Sequence, residues 1–421
     1  KKKKNLTTVI FIALLCGALA GLALNLWIPA GYIRDTVIID GIFYVIGQGF
    51  IRLMQMLVVP LVFCSLVCGS MAIGDTKRLG RVGVKTIGFY LLTTAVAISA
   101  AIFLAGLINP GLGLELEKIQ GTETAAAEKT NFVDTVLHII PTNPLEALAK
   151  GEMLPIILFA LILGVILAHR GEKADMVSSF FSQFNDIIMD MTMGVMTLAP
   201  AGVFCLIART FAGLGLDAFV PLLKYMLAVI LALAVQGLVV YQVLLKLFTG
   251  LSPIRFLHKF APVMAFAFST ATSNATIPMS IDTLHRKMGV SRRISSFTIP
   301  LGATINMDGT AIMQGVAVVF ASQAFGIHLS VADYLTVILT ATLASVGTAG
   351  VPGVGLITLS MVFASVGLPV EAIALIMGID RILDRTAVNI TGDAVCTTVV
   401  AFQDGAVDKA VFDDMEAGRG G

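Results

Sequence analysis

Of the 421 residues in this chain, 57% belong to the apolar and aromatic set and only 13% are Asp, Glu, Lys or Arg; the mean hydropathy is +0.92. A globule with a wetted surface does not reach such values, so the main solvent is lipid. The net charge of +1 gives no sign of a nucleic-acid partner, because the basic residues lie in short clusters between spans and not on one patch.

Four lysines at positions 1–4 precede an apolar run at 9–27 that is too long for a secretory signal peptide and reads as a first span. Within it Gly17 and Gly21 form a GxxxG pattern suited to close helix packing. Further runs follow at 41–73, 82–108, 154–168, 187–211, 220–248, 296–325 and 370–402. A helix needs about 20 apolar residues to cross the hydrocarbon layer. None of these runs alternates apolar with polar residues as barrel strands do. The pattern predicts an all-α integral membrane protein with eight transmembrane helices.

With residues 1–4 cytoplasmic, the basic stretches 77–85, 169–173, 255–259 and 285–293 fall on the same side, opposite Arg34, Lys118, Lys129 and Lys150. That assignment closes only when two hydrophobic hairpins enter and leave the membrane from one side. It predicts a multi-pass protein of the cell (inner or plasma) membrane with both termini cytoplasmic. Cys16, Cys64, Cys68, Cys205 and Cys396 lie in apolar runs without a CxxC and read as small buried hydrophobes. His138, His169, His258, His285 and His328 are dispersed, with no HExxH or Ser/His/Asp grouping, which argues against an enzyme.

From residue 250 a pattern repeats: a short apolar run, a polar or glycine-rich tip, a second short run, then a long span carrying polar groups. The first tip, 269–276, lies between runs 256–268 and 277–288 and is rich in hydroxyl and amide side chains. The second, 345–353, lies between 334–344 and 354–366 and contains Gly347, Gly350, Pro352 and Gly353, which do not hold a continuous helix. Interrupted segments in matching halves are the mark of inverted repeats enclosing a site. Free N–H groups at helix N-termini suit an anion there, and unwound carbonyls suit a cation.

The long spans add chemistry. Asn306, Met307, Asp308, Gly309 and Thr310 place hard oxygen donors at membrane depth, as an alkali cation requires. The last span, 370–402, carries Asp380, Arg381, Asp384, Arg385 and Asp393. Each charge at this depth costs on the order of 2.5–3.5 kcal/mol, so it persists facing a cavity, a partner or an ion. Arg385, Asn389 and Asp393 repeat at i, i+4 and i+8, one stripe of a helix. The arginine fork pairs either with a substrate carboxylate or with a carboxylate that ties helices together.

At these residues the chain resembles the dicarboxylate/amino acid:cation symporter family, the glutamate transporter family. Residues 306–310 are its NMDGT, 345–353 its S-x-GTAGVPG, 389–393 its N-x-TGD and 272–278 its serine-rich first tip. Residues 56–63, 90–94 and 109–111 also fit, so the likeness covers nearly the whole chain.

The resemblance implies an elevator-type transporter with two re-entrant helical hairpins and inverted repeats, assembled as a homotrimer in a lipid bilayer. It implies scaffold segments at 1–75 (spans 1 and 2) and 113–214 (spans 4 and 5). The mobile transport segments are then 76–112 (span 3) and 215–421 (span 6, hairpin 1, span 7, hairpin 2, span 8), with the second hairpin as gate. It places one sodium site on Gly302, Asn306, Asn389 and Asp393, and a second on Thr304, Ser345, Val346 and Thr348. A third falls on Tyr90, Thr93, Thr94, Asn306 and Asp308. Substrate contacts fall on Ser273, Thr310, Val351, Gly355, Asp384, Arg385, Thr386 and Asn389, with Asp384 on an amine and Arg385 on a side-chain carboxylate.

Three departures from the family pattern bear on function. Ala271 stands where prokaryotic aspartate carriers bear arginine, which leaves the substrate-charge role to the last span. Gln314 stands where proton-coupled animal members carry glutamate, which predicts no proton countertransport through that position. Asp384 directly precedes Arg385, whereas the family places two residues between them. At about 100° per residue this turns Asp384 by roughly 200° off the Arg385–Asn389 face. Either the helix is rewound, or Asp384 does not bind the amine, or two residues are missing from the sequence. The expectation is sodium-coupled symport of a small acidic solute, aspartate, glutamate or a C4-dicarboxylate. The alternatives are neutral amino-acid transport by the same family fold, or a passive anion channel.

Overall fold

The structure, a computed structural model, describes residues 6–74, 81–114, 137, 140–270, 273–345, 354–370, 372–373, 376, 383 and 385–415. Among these the backbone is helical apart from turns and one isolated antiparallel bridge, Val290 to Val407. Helix α1 (Leu6–Trp27) lies along α7 (Ala199–Leu214). Its glycines explain how closely: a Cβ on Gly17 would come 2.7 Å from the Phe204 carbonyl oxygen, and one on Gly21 would strike the Ala208 carbonyl. The GxxxG pattern is thus spent on backbone-to-backbone packing.

Helix α2 (Tyr44–Gly74), entered through a π-helical stretch Ile33–Phe43, packs on α5 (Met153–Arg170), α6 (Asp175–Met196) and α7. Its sequence neighbour α3 (Arg81–Ile108), which α4 (Pro144–Lys150) follows in the described chain, packs elsewhere. The partners of α3 are α8 (Phe219–Val235), α13 (Asp308–Ala324), α14 (Val331–Ser345) and α16 (Thr386–Gln403). A π-helical turn, Gln236–Val240, joins α8 to α9 (Tyr241–Thr249). Helix α10 (Pro253–Thr270) packs on α11 (Ser273–Asp282), and α14 packs on α15 (Val354–Ser365). The two packing groups touch where α12 (Arg292–Ile305) and α15 meet α2, and where α14 and α15 meet α5.

Among the described residues four helical stretches are long and apolar enough to cross a bilayer: Ile33–Met71, Val82–Ile108, Pro155–Val195 and Phe219–Thr249. Large apolar side chains face outward along them and their neighbours, Leu19, Phe103 and Val84 at 67%, 67% and 70% exposure. Such surfaces are stable only against lipid or another protein. The expected span at 187–211 is instead two helices. Helix α6 ends at Met196, and after Thr197 and Leu198 the chain restarts as α7 with Pro200 in its first turn, where a proline needs no N–H partner. The expected span at 296–325 is also two helices, α12 and α13. They part at Asn306 and Met307, ahead of Gly309 and not at it.

At the chain end, α17 (Lys409–Asp413) folds back under α10. Buried Lys259 of α10 shares its three N–H groups among four carbonyls, those of Lys287 (2.6 Å), Val411 (2.9 Å), Phe412 (2.8 Å) and Asp414 (2.8 Å). Arg255 pairs with Asp413 nearby. Replacing Lys259 by Met removes the donor from a buried group of carbonyls, which costs about 2 kcal/mol. The Lys259→Met protein is expected to melt several degrees lower and to lose residues after 404 to protease sooner than wild type; equal melting and cleavage would contradict this reading.

Candidate functional site

The centre of the molecule is the break between α12 and α13. Asn306 takes an extended conformation (φ −86°, ψ 98°) and Met307 follows at φ −120°, ψ 41°. This interruption lets the Asn306 side chain leave the helix and reach α16. Its Nδ2 donates to the Asn389 carbonyl and to Asp393 Oδ1, both at 2.9 Å. In return Asn389 Oδ1 accepts the Gly309 N–H at 2.8 Å, satisfying a donor that the first turn of α13 leaves free.

Asp308 opens α13 from the other side of the break. Its Oδ1 accepts from Thr94 Oγ1 at 2.5 Å, and its Oδ2 from Tyr241 Oη at 2.7 Å and Gln236 Nε2 at 3.1 Å. Thr93 donates to the Tyr90 carbonyl, which also lies 2.8 Å from Thr94 Oγ1 and so shares that hydroxyl's one proton with Asp308. Asp308 is wholly buried and Asp393 is 2% exposed, yet the ion pairs among the described residues include neither. Two buried carboxylates held only by neutral donors are costly without a cation nearby.

Close approach around them depends on missing side chains. A Cβ on Gly302 would collide with Asp393 Oδ1 and come 2.5 Å from Tyr90 Oη. One on Gly392 would meet the Tyr241 hydroxyl and lie 2.6 Å from Asn306 Nδ2. Within this enclosure Asn306 Oδ1 is buried with no hydrogen-bond partner, as is Gln236 Oε1. Orphaned acceptors beside a carboxylate, hydroxyls and main-chain carbonyls fit a hard monovalent cation. Among the described residues no three His, Cys, Asp or Glu side chains cluster, so the donor set is not that of a transition metal.

Of the expected residues, Gly302, Asn306, Asn389 and Asp393 come together, and so do Tyr90, Thr93, Thr94 and Asp308 with Asn306 beside them. Among the described residues, Thr304 and Ser345 bond within their own helices, to the Pro300 and Thr342 carbonyls. Val346 and Thr348, which would complete that set, lie outside the described residues, as do Val351, Asp380, Arg381 and Asp384. Arg385 precedes the first turn of α16, and a Cβ on Gly355 would sit 3.2 Å from its Nη2 and 2.9 Å from Thr310 Cγ2. Thr310, Met307, Gln314 and Ser345 line a narrow cleft between α13 and α14. Thr386 is buried in the first turn of α16. Ser273 is buried at the start of α11, which packs on α16, and its carbonyl accepts from Thr276.

Gln236 and Tyr241 are the site residues that sequence reasoning passed over. They stand five apart in an apolar run, the spacing that a π-helical turn brings onto one face. A buried amide in a span was the available signal. Gln314 is bound through its Nε2 to Thr358 Oγ1 at 2.8 Å, linking α13 to α15.

An all-helical chain with lipid-compatible faces and a buried, oxygen-rich centre on a broken helix has the form of a membrane carrier. Residues 6–402 match the Sodium:dicarboxylate symporter family. The chain is 34% identical over 419 residues to the proton/sodium-glutamate symport protein of Bacillus caldotenax, covering 97% of this chain and 96% of that one. It is 35% identical over 411 residues to the proton/glutamate-aspartate symporter of Escherichia coli, covering 95% and 93%. With the C4-dicarboxylate transport protein of Bacillus subtilis it shares 30% over 415 residues, covering 97% and 95%. The chain belongs to the sodium:dicarboxylate symporter family, whose members are transporters and not enzymes.

Gly302→Ala forces the α12 backbone off Asp393 and Tyr90. Overpacking of this kind costs about 1–3 kcal/mol. Gly106→Ala, on an open side of α3 with nothing within 4 Å, is expected to be neutral or to stabilise by about 0.5–1 kcal/mol. Thermal melts of both variants check the contrast; equal melting would show that the close approach at Gly302 carries no constraint.

Proposed function

We propose that this chain is a sodium-driven symporter of a small acidic solute, aspartate, glutamate or a C4-dicarboxylate. The observation that carries the reading is the pair of buried carboxylates, Asp308 and Asp393, beside the orphaned Asn306 Oδ1. Sodium enters as cargo, not as a resident cofactor. Gly302, Asn306, Asn389 and Asp393 hold one ion through carbonyl, amide and carboxylate oxygens. Tyr90, Thr93, Thr94, Asn306 and Asp308 hold another. Thr304 and Ser345, with Val346 and Thr348, hold a third.

The solute lies against Arg385, Thr310, Gly355, Thr386, Asn389 and Ser273, with Val351 and Asp384 completing the pocket. The Arg385 guanidinium takes the solute's distal carboxylate as a bidentate partner. Gln314 has no acidic proton to exchange, so that position contributes no proton coupling. The relatives named for glutamate and for C4-dicarboxylates set the range of acids to test.

The carrier works as a homotrimeric elevator. Helices α1, α2 and α4–α7 form the scaffold; α3 and α8–α17 move. Helix α15 has 12 residues and α11 has 10. At about 1.5 Å per residue neither reaches across a layer of roughly 30 Å, as a re-entrant hairpin requires. Coupling follows when the second hairpin closes well only over cations and solute together, because a ligand shifts an equilibrium only by its differential affinity for the two states. The test is uptake into proteoliposomes. An inward sodium gradient is expected to drive accumulation of labelled aspartate, glutamate or succinate against its gradient, and Arg385→Cys to abolish acidic uptake while admitting neutral amino acids. Equal uptake without sodium would contradict sodium coupling, and with no accumulation against the gradient it would indicate a passive pore; unchanged acidic uptake in the variant would remove Arg385 from its role.

A further inference from the structure

On the outer face of α9, away from the cation centre, Leu238, Val239, Gln242, Val243, Lys246, Leu247 and Pro253 line an open groove of about 420 Å³. Two rows of residues four apart, 238–242–246 and 239–243–247, form its walls, and Pro253 closes one end. The π-helical turn at Gln236–Val240 sets these rows in register. Leu238, Val239, Val243 and Leu247 are 56%, 52%, 56% and 73% exposed, so the walls are hydrocarbon-facing.

The groove is not uniformly apolar, and its polar groups are graded. Lys246 sits in the last turn of α9, exposed, with one N–H on the Gly250 carbonyl at 2.9 Å. An ammonium has three donors, so two remain for a ligand. No acidic side chain lines the groove. One turn deeper, Gln242 is 5% exposed; its Nε2 bonds the Gly237 carbonyl at 3.0 Å, while its Oε1 has no partner. That oxygen is itself buried, so the polar group the groove presents is Lys246.

We infer that this groove binds one anionic phospholipid, of the phosphatidylglycerol type, through its charged phosphate. An acyl chain lies along Leu238, Val239 and Val243, and the phosphate meets Lys246 at the end of the span, where head groups reside. Phosphatidylcholine fits the walls but carries no net charge for Lys246.

The probes are phosphatidylglycerol and phosphatidylcholine added to delipidated protein in detergent, followed by native mass spectrometry and thermal melting. Wild type is expected to retain one phosphatidylglycerol over phosphatidylcholine by about fivefold, the preference that one lysine's contribution of about 1 kcal/mol at a head group gives. Lys246→Gln is expected to erase the preference, and Val243→Trp, which fills the groove at an exposed position, to lower retention of both lipids. Sodium-dependent melting shifts verify that both variants remain folded. Equal retention of the two lipids by wild type, a preference unchanged in Lys246→Gln, or full retention by Val243→Trp would each overturn the assignment.

Discussion

A single side chain, Asn306, holds the centre of this protein open. Its Nδ2 bridges the Asn389 carbonyl and Asp393 Oδ1, tying the interrupted α12–α13 pair to α16. The break costs main-chain hydrogen bonds in a medium that supplies no replacement. Asn389 returns one of them through the Gly309 N–H. With the break fixed, Asp308 points toward α3 and α9 while Asp393 faces Gly302 and Tyr90. Two carboxylates are thereby buried on opposite sides of one asparagine whose remaining oxygen is unpaired.

The surrounding fold can be understood as support for that geometry. Glycines 302, 309, 355 and 392 stand where a methyl would strike the site's own groups. The π-helical turn at Gln236–Val240 rotates Tyr241 onto Asp308. Lys259 closes the far end of α10 by gathering carbonyls from the α11 exit and the C-terminal helix. The groove under Lys246 lies on the outer side of the same α9 that presents Tyr241 inward to Asp308, so one short helix serves both the surface and the buried centre.

Much of this was legible in the sequence because membrane depth makes polar residues rare. Asn306, Asp308, Arg385, Asn389 and Asp393 stood out against an apolar background, and their motifs carried the family resemblance that the 6–402 match confirms. The short runs flanking the two tips also fall on helices, α10 with α11 and α14 with α15. Less legible were features that depend on geometry rather than composition. Hydropathy cannot separate one span from two helices with a proline restart, which is why 187–211 read as continuous. Nor does it register a π-helical turn, so Gln236 and Tyr241 looked like incidental residues of an apolar run. Lys259 read as one more cation of a basic stretch, since its partners are carbonyls distant in sequence.

If the donors around Asn306 belong to cations whose binding completes the acid pocket, the two ligands must strengthen each other by the same factor. The direct measurement is calorimetric titration of the purified protein with aspartate, glutamate and succinate at low and high sodium, and with potassium in place of sodium. The account predicts that at least one acid binds much more tightly as sodium rises, and that sodium binds correspondingly more tightly with that acid present. An affinity for the acid independent of sodium, or one that potassium raises equally, would contradict it.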